Sequence, residues 1–571
     1  MDNNLEKFFT GKLFRIPFYQ RDYAWNTGNI DDLFEDILEA IETKTNHYIG
    51  TFILSAGNEK PWFNVVDGQQ RLTTLMMLFN AVIQKLDSEK EKIINLDKFV
   101  CTESGIESTP IWKLELLNDN NQFFKSMLSG EDTIPRTRSQ QMLKMAYKHI
   151  ETRVKELPDQ RLFLDAMRNL EVMEFAENND GKAIRMFQTV NDRGQPLTNM
   201  EKAKSLLIYY SNRFLSGKLD EYINTSFGDI FHDYTEIKTI GEECQISVIS
   251  SNKFSEDSIM RYHYLAYADD LYDYDASENY VLDTYLKKTL KPLRTQEAEL
   301  RKIIENYVND LKKYYNSTVM VMRKVKTDPK YYKLFSILGL SATLYPLIIR
   351  LETRGLLESP LIQMKDKQFL DLIEVTDFRV YKMRGTNPRA DMSALARDAK
   401  KLSSKDIENK IRYFVQRFMG DDEFERHLKT TYHNTPTVHM IIEFGEEVIN
   451  QRAYNLSELQ HFKKTQPTVE HIFPQQERFS FPNLEFDNVD EYKHLIQTIG
   501  NLTVLEKTLN SQCQNKIPDQ KISGGFYEKS SYEDAKRISA QVKNLGLPFT
   551  RNDIEKRTNQ FVEFIKLRWK V

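Results

Sequence analysis

The sequence predicts an α+β multidomain protein in three parts. Residues 1–215 read as mixed α/β, residues 216–450 as mainly helical, and residues 451–571 as two strands and a helix arranged to hold one cation. Three observations predict this. Before residue 215, short apolar runs bounded by turn residues alternate with helical apolar spacing. The middle carries long 3.6-residue periodicity. Near the C-terminus a Glu-His pair is followed by two Asn residues in strand and helix contexts. At 571 residues the chain is too long for one core, and roughly three or four domains are expected.

Taken in order, Leu13–Pro17 reads as a short strand entering a loop. Ile30, Leu33, Phe34, Ile37, Leu38 and Ile41 fall on one helical face, with Asn29 or Asp31 near the cap. Tyr48–Leu54 and Phe63–Val66 read as buried strands, Gln69–Leu86 as a helix rich in Leu and Met, and Leu170–Phe175 as a further strand with a helix from Lys182. Tyr262–Tyr272, Glu297–Val325 and Tyr331–Arg350 carry helical periodicity, while the polar stretch Asp233–Ser255 reads as a loop-like insertion. An amphipathic helix from Asp553 offers Phe561, Val562, Phe564, Ile565 and Trp569 as its apolar face. There is no internal repeat and no low-complexity tract.

Hydrophobic content of 40% and charged content of 28% are those of an ordinary globular chain. A net charge of −4 argues against a dedicated non-specific DNA binder, so nucleic acid would be gripped by local Lys/Arg patches. No apolar run approaches the ~20 residues of a membrane span, and the segment Met1–Lys7 lacks a signal-peptide core. Cys101, Cys244 and Cys513 form no CxxC pair, which points to a reducing cytoplasm and away from structural zinc.

Two regions carry chemistry. In the first, Val469-Glu470-His471-Ile472-Phe473-Pro474-Gln475 is followed by Gly500-Asn501-Leu502-Thr503-Val504-Leu505 and then Asn510. Hydrolysing a phosphodiester takes a base to activate water and a cation to stabilise the leaving oxygen. His471 offers the base, and Glu470 and Asn510 offer hard oxygen ligands for Mg²⁺. An isolated Glu-His pair is usually a turn; the Pro-Gln continuation, the Gly-Asn-Leu strand and Asn510 in register raise it above that.

The second region is Val66-Asp67-Gly68-Gln69-Gln70-Arg71, where a strand ends, Asp67-Gly68 turns and a helix starts. Gly68 allows close backbone approach, the helix N-terminus presents free N–H groups to an anion, and Arg71 can clamp a phosphate. Ile16-Pro17-Phe18-Tyr19-Gln20-Arg21-Asp22-Tyr23-Ala24-Trp25 and Phe187-Gln188-Thr189-Val190-Asn191-Asp192-Arg193-Gly194 accompany it. There is no Walker A motif, so a P-loop is rejected.

With those segments in hand, the C-terminal region resembles the HNH (His-Me finger) nucleases over roughly 465–530, and specifically the C-terminal domain of GmrSD-type, type IV, modification-dependent restriction proteins. The three N-terminal segments resemble the ParB/sulfiredoxin-like N-terminal domain of the same family over about 1–215, a family with SspE- and BrxU-like members. The resemblance implies Glu470 and Asn510 as metal ligands, with Mg²⁺ or Mn²⁺ as the ion. His471 would be the general base and Asn501 would orient it through a hydrogen bond. Lys516, or more weakly Lys521, would contact the DNA phosphate. It implies that Asp67, Gly68, Gln69, Gln70 and Arg71 bind a nucleoside triphosphate (GTP, UTP or similar), with Tyr19, Gln20 and Arg21 lining the same cleft and Asn191 and Arg193 opposite.

The function implied is nucleotide-coupled cleavage or nicking of DNA in anti-phage defence. DNA, modified phage DNA above all, a nucleotide and a second copy of the chain are its partners, the oligomeric state being left open, and no membrane is involved. Two other readings stay open: a nucleotide-dependent sensor of modified DNA whose nuclease fold is only a scaffold, and an RNase.

Overall fold

In the computed structural model the described residues are 4–17, 20, 22–56, 61–102, 110–177, 198–430, 434–476, 486, 488–546 and 548–571. The expected helix from Lys182 lies outside them. The chain divides into two units. One is Met1–Thr239 with Glu278–Asn316, and the other is Ile240–Ser277 with Ser317–Val571, so the helical stretch 216–450 contributes to both.

Among the described residues the first unit is organised by seven short strands: β1 (Leu13–Arg15), β2 (Tyr48–Ala56), β3 (Trp62–Asp67), β4 (Cys101–Thr102), β5 (Ile111–Trp112), β6 (Leu114–Glu115) and β7 (Glu171–Glu177). Five of them form one sheet in the order β6-β1-β3-β2-β7. β1 runs parallel to β3 and β6, β2 antiparallel to β3 and parallel to β7. The mixed directions follow from connection length, since antiparallel partners need only a short link whereas parallel ones need a crossover. Helix α1 (Thr27–Thr43) starts at a capping box between Asn26 and Asn29 and buries Ile30, Leu33, Phe34 and Ile37.

Helix α2 (Gln69–Ile83) is buried on every side. Of its fifteen residues only Arg71 is not enclosed. A helix enclosed on every side belongs in a core, and this one sets its Phe79 against Phe9 and Phe99. Its N-cap, Gly68, has φ +89, and a Cβ there would lie 2.5 Å from the Phe52 ring, so only glycine fits the turn. Helix α3 (Asn199–Phe214) begins at a Thr198/Glu201 capping box.

The polar stretch Asp233–Ser255 is not a loop. Helix α4 (Asp220–Glu243) runs through its first half, and Ser247–Ser250 adds a further turn. Ile223, Phe227, Ile230, Ile237 and Ile240 recur at helical spacing and are buried, as is Lys238, while Glu242 and Glu243 are exposed. The predicted Tyr331–Arg350 helix is broken: a π-helical stretch, Lys333–Leu338, ends at Gly339 with φ +70, and a new helix runs over Tyr345–Thr353.

The second unit is built of helices with one small hairpin-like sheet. Strands β8 (Pro467–His471) and β9 (Leu502–Glu506) pair antiparallel, with Glu470 opposite Thr503 and His471 opposite Leu502. β9 starts two residues later than expected because Ile499–Asn501 is a 3-10 turn. Helices α6 (Asn434–Phe444) and α7 (Lys507–Cys513) pack on its strands, and α5 (Phe369–Thr376), α8 (Pro518–Ser523) and α9 (Arg551–Arg568) belong to the same unit. The amphipathic face expected from Asp553 is buried as Phe561, Val562, Phe564, Ile565 and Trp569.

Helix α9 is fixed at both ends by polar contacts. At its start, Arg557 donates to the carbonyls of Gly500 and Leu502, both at 3.0 Å, and pairs with Asp534 at 2.8 and 2.9 Å. At its end, Glu374 on α5 accepts from Arg568 at 3.1 Å and from Trp569 Nε1 at 2.9 Å, and lies 3.0 Å from His439 Nε2. Burial works against the Glu374 carboxylate, yet Arg568 and His439 hold its pKa far below the ordinary range. Among the described residues no helix is long and apolar enough to cross a membrane.

The α9 contact makes a prediction at Gly500. A Cβ there would meet the Ile554 carbonyl oxygen at 2.0 Å and the Thr558 backbone nitrogen at 2.6 Å, neither of which can yield as a side chain would. Gly500→Ala is expected to cost about 2–3 kcal/mol, read as a lower urea midpoint for the second unit with an unchanged first unit.

Candidate active site

Strand alternation decides which way the Glu-His pair faces. Successive side chains of β8 point to opposite faces, so Glu470 turns inward while His471 stays half-buried. Glu470 is 5% exposed, and its Oε1 lies 2.6 Å from Lys521 Nζ and 3.4 Å from the Tyr527 hydroxyl. Burial raises its carboxyl pKa, and Lys521 only partly offsets this. The His471 ring has Nε2 3.3 Å from Gln475 Nε2. Burial and the Lys521 charge push its pKa down to about 4, so the imidazole is neutral at pH 7.

Helix α7 follows β9 directly and brings Asn510 back to β8. Its Nδ2 donates to Thr468 Oγ1 at 2.9 Å and to the Val469 carbonyl at 3.0 Å. The amide nitrogen is thereby used, and the carboxamide oxygen is the atom left for a ligand. A carboxylate, a carboxamide oxygen and a neutral imidazole suit a hard divalent cation by donor chemistry. The ammonium of Lys521 competes for the same carboxylate.

Two expectations are corrected here. Asn501 does not hold the His471 ring. It is fully buried, its Oδ1 accepts from Phe473 N at 2.8 Å, and its Nδ2 donates to the carbonyls of Phe473 at 3.1 Å and Ile496 at 3.0 Å. All its capacity goes to backbone, so it fixes the turn that follows His471. Lys521 is no DNA contact either. Its side chain has no exposure, and besides Glu470 its Nζ donates to the carbonyls of His471 at 2.5 Å and Ile472 at 3.1 Å. The reason is electrostatic: a buried carboxylate needs a buried counter-ion. Lys516 does lie nearer the surface, over the Phe526 ring at 4.6 Å and bonded to the Gln512 carbonyl at 2.8 Å.

Reasoning from sequence missed Tyr527, Cys513 and Arg557. Cys513 lies three residues after Asn510, one helical turn on and against Glu470, and burial pushes its thiol pKa up to about 12. No local signal marks these three, since each acts through a partner far away in the chain.

The first unit assembles a second site. Tyr19, Arg21, Asn191 and Arg193 lie outside the described residues. Gln20, Asp22 and Ala24 do meet the β3–α2 turn: Gln20 Nε2 donates to the Val66 carbonyl at 2.8 Å, and Gln70 accepts from Ala24 N at 2.7 Å and donates to the Asp22 carbonyl at 3.0 Å. Gln70 therefore pins the 22–24 segment through its oxygen and one N–H. Gln69 is buried beside it.

Arg71 differs. Its Nη1 donates to the Thr51 carbonyl at 3.2 Å and its guanidinium lies 5.5 Å from the Phe52 ring. Among the described residues no carboxylate lies within 4.0 Å of it, and burial lowers its pKa. Next to it, α2 starts without a side-chain cap, leaving N–H groups for an anion. Asp67, at the end of β3, has its pKa pushed up to about 6 by burial, against the pull of the Gly68 N–H and Arg71.

A third cluster, Glu374, His439 and Glu443, has ligand atoms within 4.8 Å of one another. Arg568 and Lys333 already neutralise it, Lys333 lying 2.8 Å from Glu443, so it is an ion-pair network of the helical core.

Comparison with known proteins decides the family. The model of the GmrSD restriction endonuclease N-terminal domain matches residues 5–208, and that of the GmrSD restriction endonuclease C-terminal domain matches residues 418–564. The chain belongs to the GmrSD family. The GmrSD match includes Asp67–Arg71 in its first segment and Glu470, His471, Asn501 and Asn510 in its second. An uncharacterized protein of Methanocaldococcus jannaschii, MJ0686, is 26% identical over 182 residues, covering 25% of this GmrSD chain and 30% of its own. The chain thus spans about a third of that relative's length.

Two predictions follow from the electrostatics. Lys521→Met leaves Glu470 buried and unpaired, which costs about 3–5 kcal/mol; differential scanning calorimetry should show the second unit melting early. Asp67→Asn should act in the opposite sense. A carboxyl whose folded pKa is near 6 resists ionisation, so the folded state is stabilised below the unfolded value near 4 and loses that stability as pH rises through about 6. Asn carries no such cost, so the variant should be more stable by about 1–2 kcal/mol at pH 8 and equal to wild type at pH 4. A pH-independent difference in urea midpoints would sink this account.

Proposed function

We propose that the chain is a restriction endonuclease that hydrolyses DNA with a divalent cation, and that a nucleoside triphosphate held by its first unit governs the cut. What carries the nuclease half is that β8 carries Glu470 and His471 at its end and α7 returns Asn510 to the Thr468–Val469 backbone beside them, within a GmrSD C-terminal domain.

His471, neutral at pH 7, takes the proton from the attacking water. Asn501 holds the turn after it, and Lys521 holds its own carbonyl, so the ring has little freedom to leave the attack line. Glu470 and Asn510 would hold Mg²⁺ or Mn²⁺, which supplies charge stabilisation at the leaving 3′-oxygen. Lys516 contacts a flanking phosphate. In the first unit, Arg71 and the uncapped start of α2 take the triphosphate (GTP, UTP or similar) and Asp67 acts beside it. The substrate is modified phage DNA and the setting is anti-phage defence in the cytoplasm. A dimer of the chain would bring two cutting sites to one duplex.

One observation favours a second reading. Lys521 sits 2.6 Å from Glu470 and already neutralises it. That favours a nucleotide-dependent sensor of modified DNA with an inert nuclease fold. Nicking of supercoiled plasmid separates the two. Wild type with Mg²⁺ should nick hydroxymethylated, glucosylated or phosphorothioated DNA in the presence of GTP. His471→Ala should fall by about 10²–10⁴-fold, and EDTA should abolish the reaction. If wild type leaves every DNA intact, the inert-fold reading replaces this one; cleavage of RNA in preference to DNA would make the chain an RNase. Phosphate release by Arg71→Ala and Asp67→Ala tests the nucleotide half, and wild-type rates in both would remove it.

A further inference from the structure

A cavity of about 370 Å³ opens in the second unit beside the nuclease strands. Its polar wall is made by Lys463, Thr468 and Lys507, and its apolar wall by Phe462, Val438 and Ile442. The two lysines face the cavity without a carboxylate partner. Among the described residues no carboxylate lies within 4.0 Å of either, whereas Lys333, Lys324, Lys400 and Lys521 all pair with one. Lys463 Nζ donates only to the Ser336 carbonyl at 2.5 Å, and Lys507 Nζ only to Gln466 at 3.3 Å. Burial lowers the Lys463 pKa with no anion to offset it. A half-buried ammonium without a counter-ion, beside a second one and an apolar wall, suits an amphipathic anion with a flat ring.

The position adds to the chemistry. Thr468 accepts from Asn510, so the cavity is one hydrogen bond from a proposed metal ligand. Lys507 opens the helix that carries Asn510. From Thr468 to His471 along β8 is three residues, about 10 Å, roughly three nucleotides at the ~3.4 Å spacing of one strand of duplex DNA. The volume lies within the roughly 300–1,000 Å³ of small-ligand pockets, enough for a single nucleotide.

We propose that this cavity is a mononucleotide pocket, its phosphate held between Lys463 and Lys507 and its base laid against Phe462, Val438 and Ile442. Two sources share that chemistry: a nucleotide of the DNA strand drawn out beside the scissile phosphate, and a free nucleoside monophosphate. The first source rests on the cleavage reading; the pocket itself does not.

The test measures binding rather than cleavage. Calorimetric titrations use the full chain carrying Arg71→Ala, so that the proposed nucleotide site of the first unit does not contribute, with dAMP, dCMP and a six-nucleotide single strand as probes. Binding of at least one probe is expected, weakened tenfold or more by Lys463→Met and by Lys507→Met and abolished by Ile442→Trp, which fills the cavity. Lys507 is exposed, so its variant keeps the fold if Lys463→Met does not. Monophosphate binding identifies a free-nucleotide site; binding of the six-mer alone identifies a strand nucleotide. No binding of any probe, or affinities unchanged in all three variants, overturns the proposal. Monophosphate affinity is read without any cleavage step, so the pocket can stand even if the cleavage reading falls.

Discussion

Everything at the candidate nuclease site depends on one buried ammonium. Taking a lysine out of water costs several kcal/mol unless its donors are all met. Lys521 has three N–H donors, and it finds three acceptors: the Glu470 carboxylate and the carbonyls of His471 and Ile472. That arrangement exists only when β8 has reached its end, the chain has turned after His471, and α8 has packed behind both. The lysine therefore acts as a lock on strand, turn and helix together. It also sets the electrostatics, since its charge lowers the pKa of His471 and limits the upward shift of Glu470.

The two candidate sites use the same construction. In each, a carboxylate lies in the last two residues of a strand, Glu470 or Asp67, and a carboxamide pins nearby backbone. Asn501 does so for Phe473, and Gln70 for Ala24 and Asp22. A primary amide is well suited to this because it offers an acceptor and two donors in one plane. Asn501 has both N–H donors and its oxygen on backbone, and Gln70 gives its oxygen and one N–H to backbone. Capacity for a ligand is kept by Asn510, through its oxygen, and by Arg71, the one residue of α2 that escapes enclosure.

Features with a local signal were readable from sequence. The face of α1, the turn at Asp67-Gly68, the strand ending at His471 and the apolar side of α9 all follow from spacing and turn chemistry. The stretch Asp233–Ser255 misled because its polar residues mask the buried isoleucines at helical intervals. Lys521 misled for a different reason. A lysine near a nuclease motif reads as a phosphate contact, and only tertiary packing reveals that it faces inward. The roles of Asn501 and Gln70 were hidden in the same way: the sequence suggested a bond to the His471 ring for the first and ligand contact for the second, while the bonds they make are to backbone up to 48 positions away.

The clamp from Arg557 onto Gly500 and Leu502 bears on the timing of synthesis. The carbonyls it grips belong to the turn that carries Asn501, and Asn501 in turn holds the backbone beyond His471. Translation delivers these pieces in the reverse order of dependence: the histidine emerges first, its brace some thirty residues later, and the arginine that steadies the brace later still. A nascent chain on the ribosome thus carries the proposed general base before the arginine clamp that steadies its surroundings has been made.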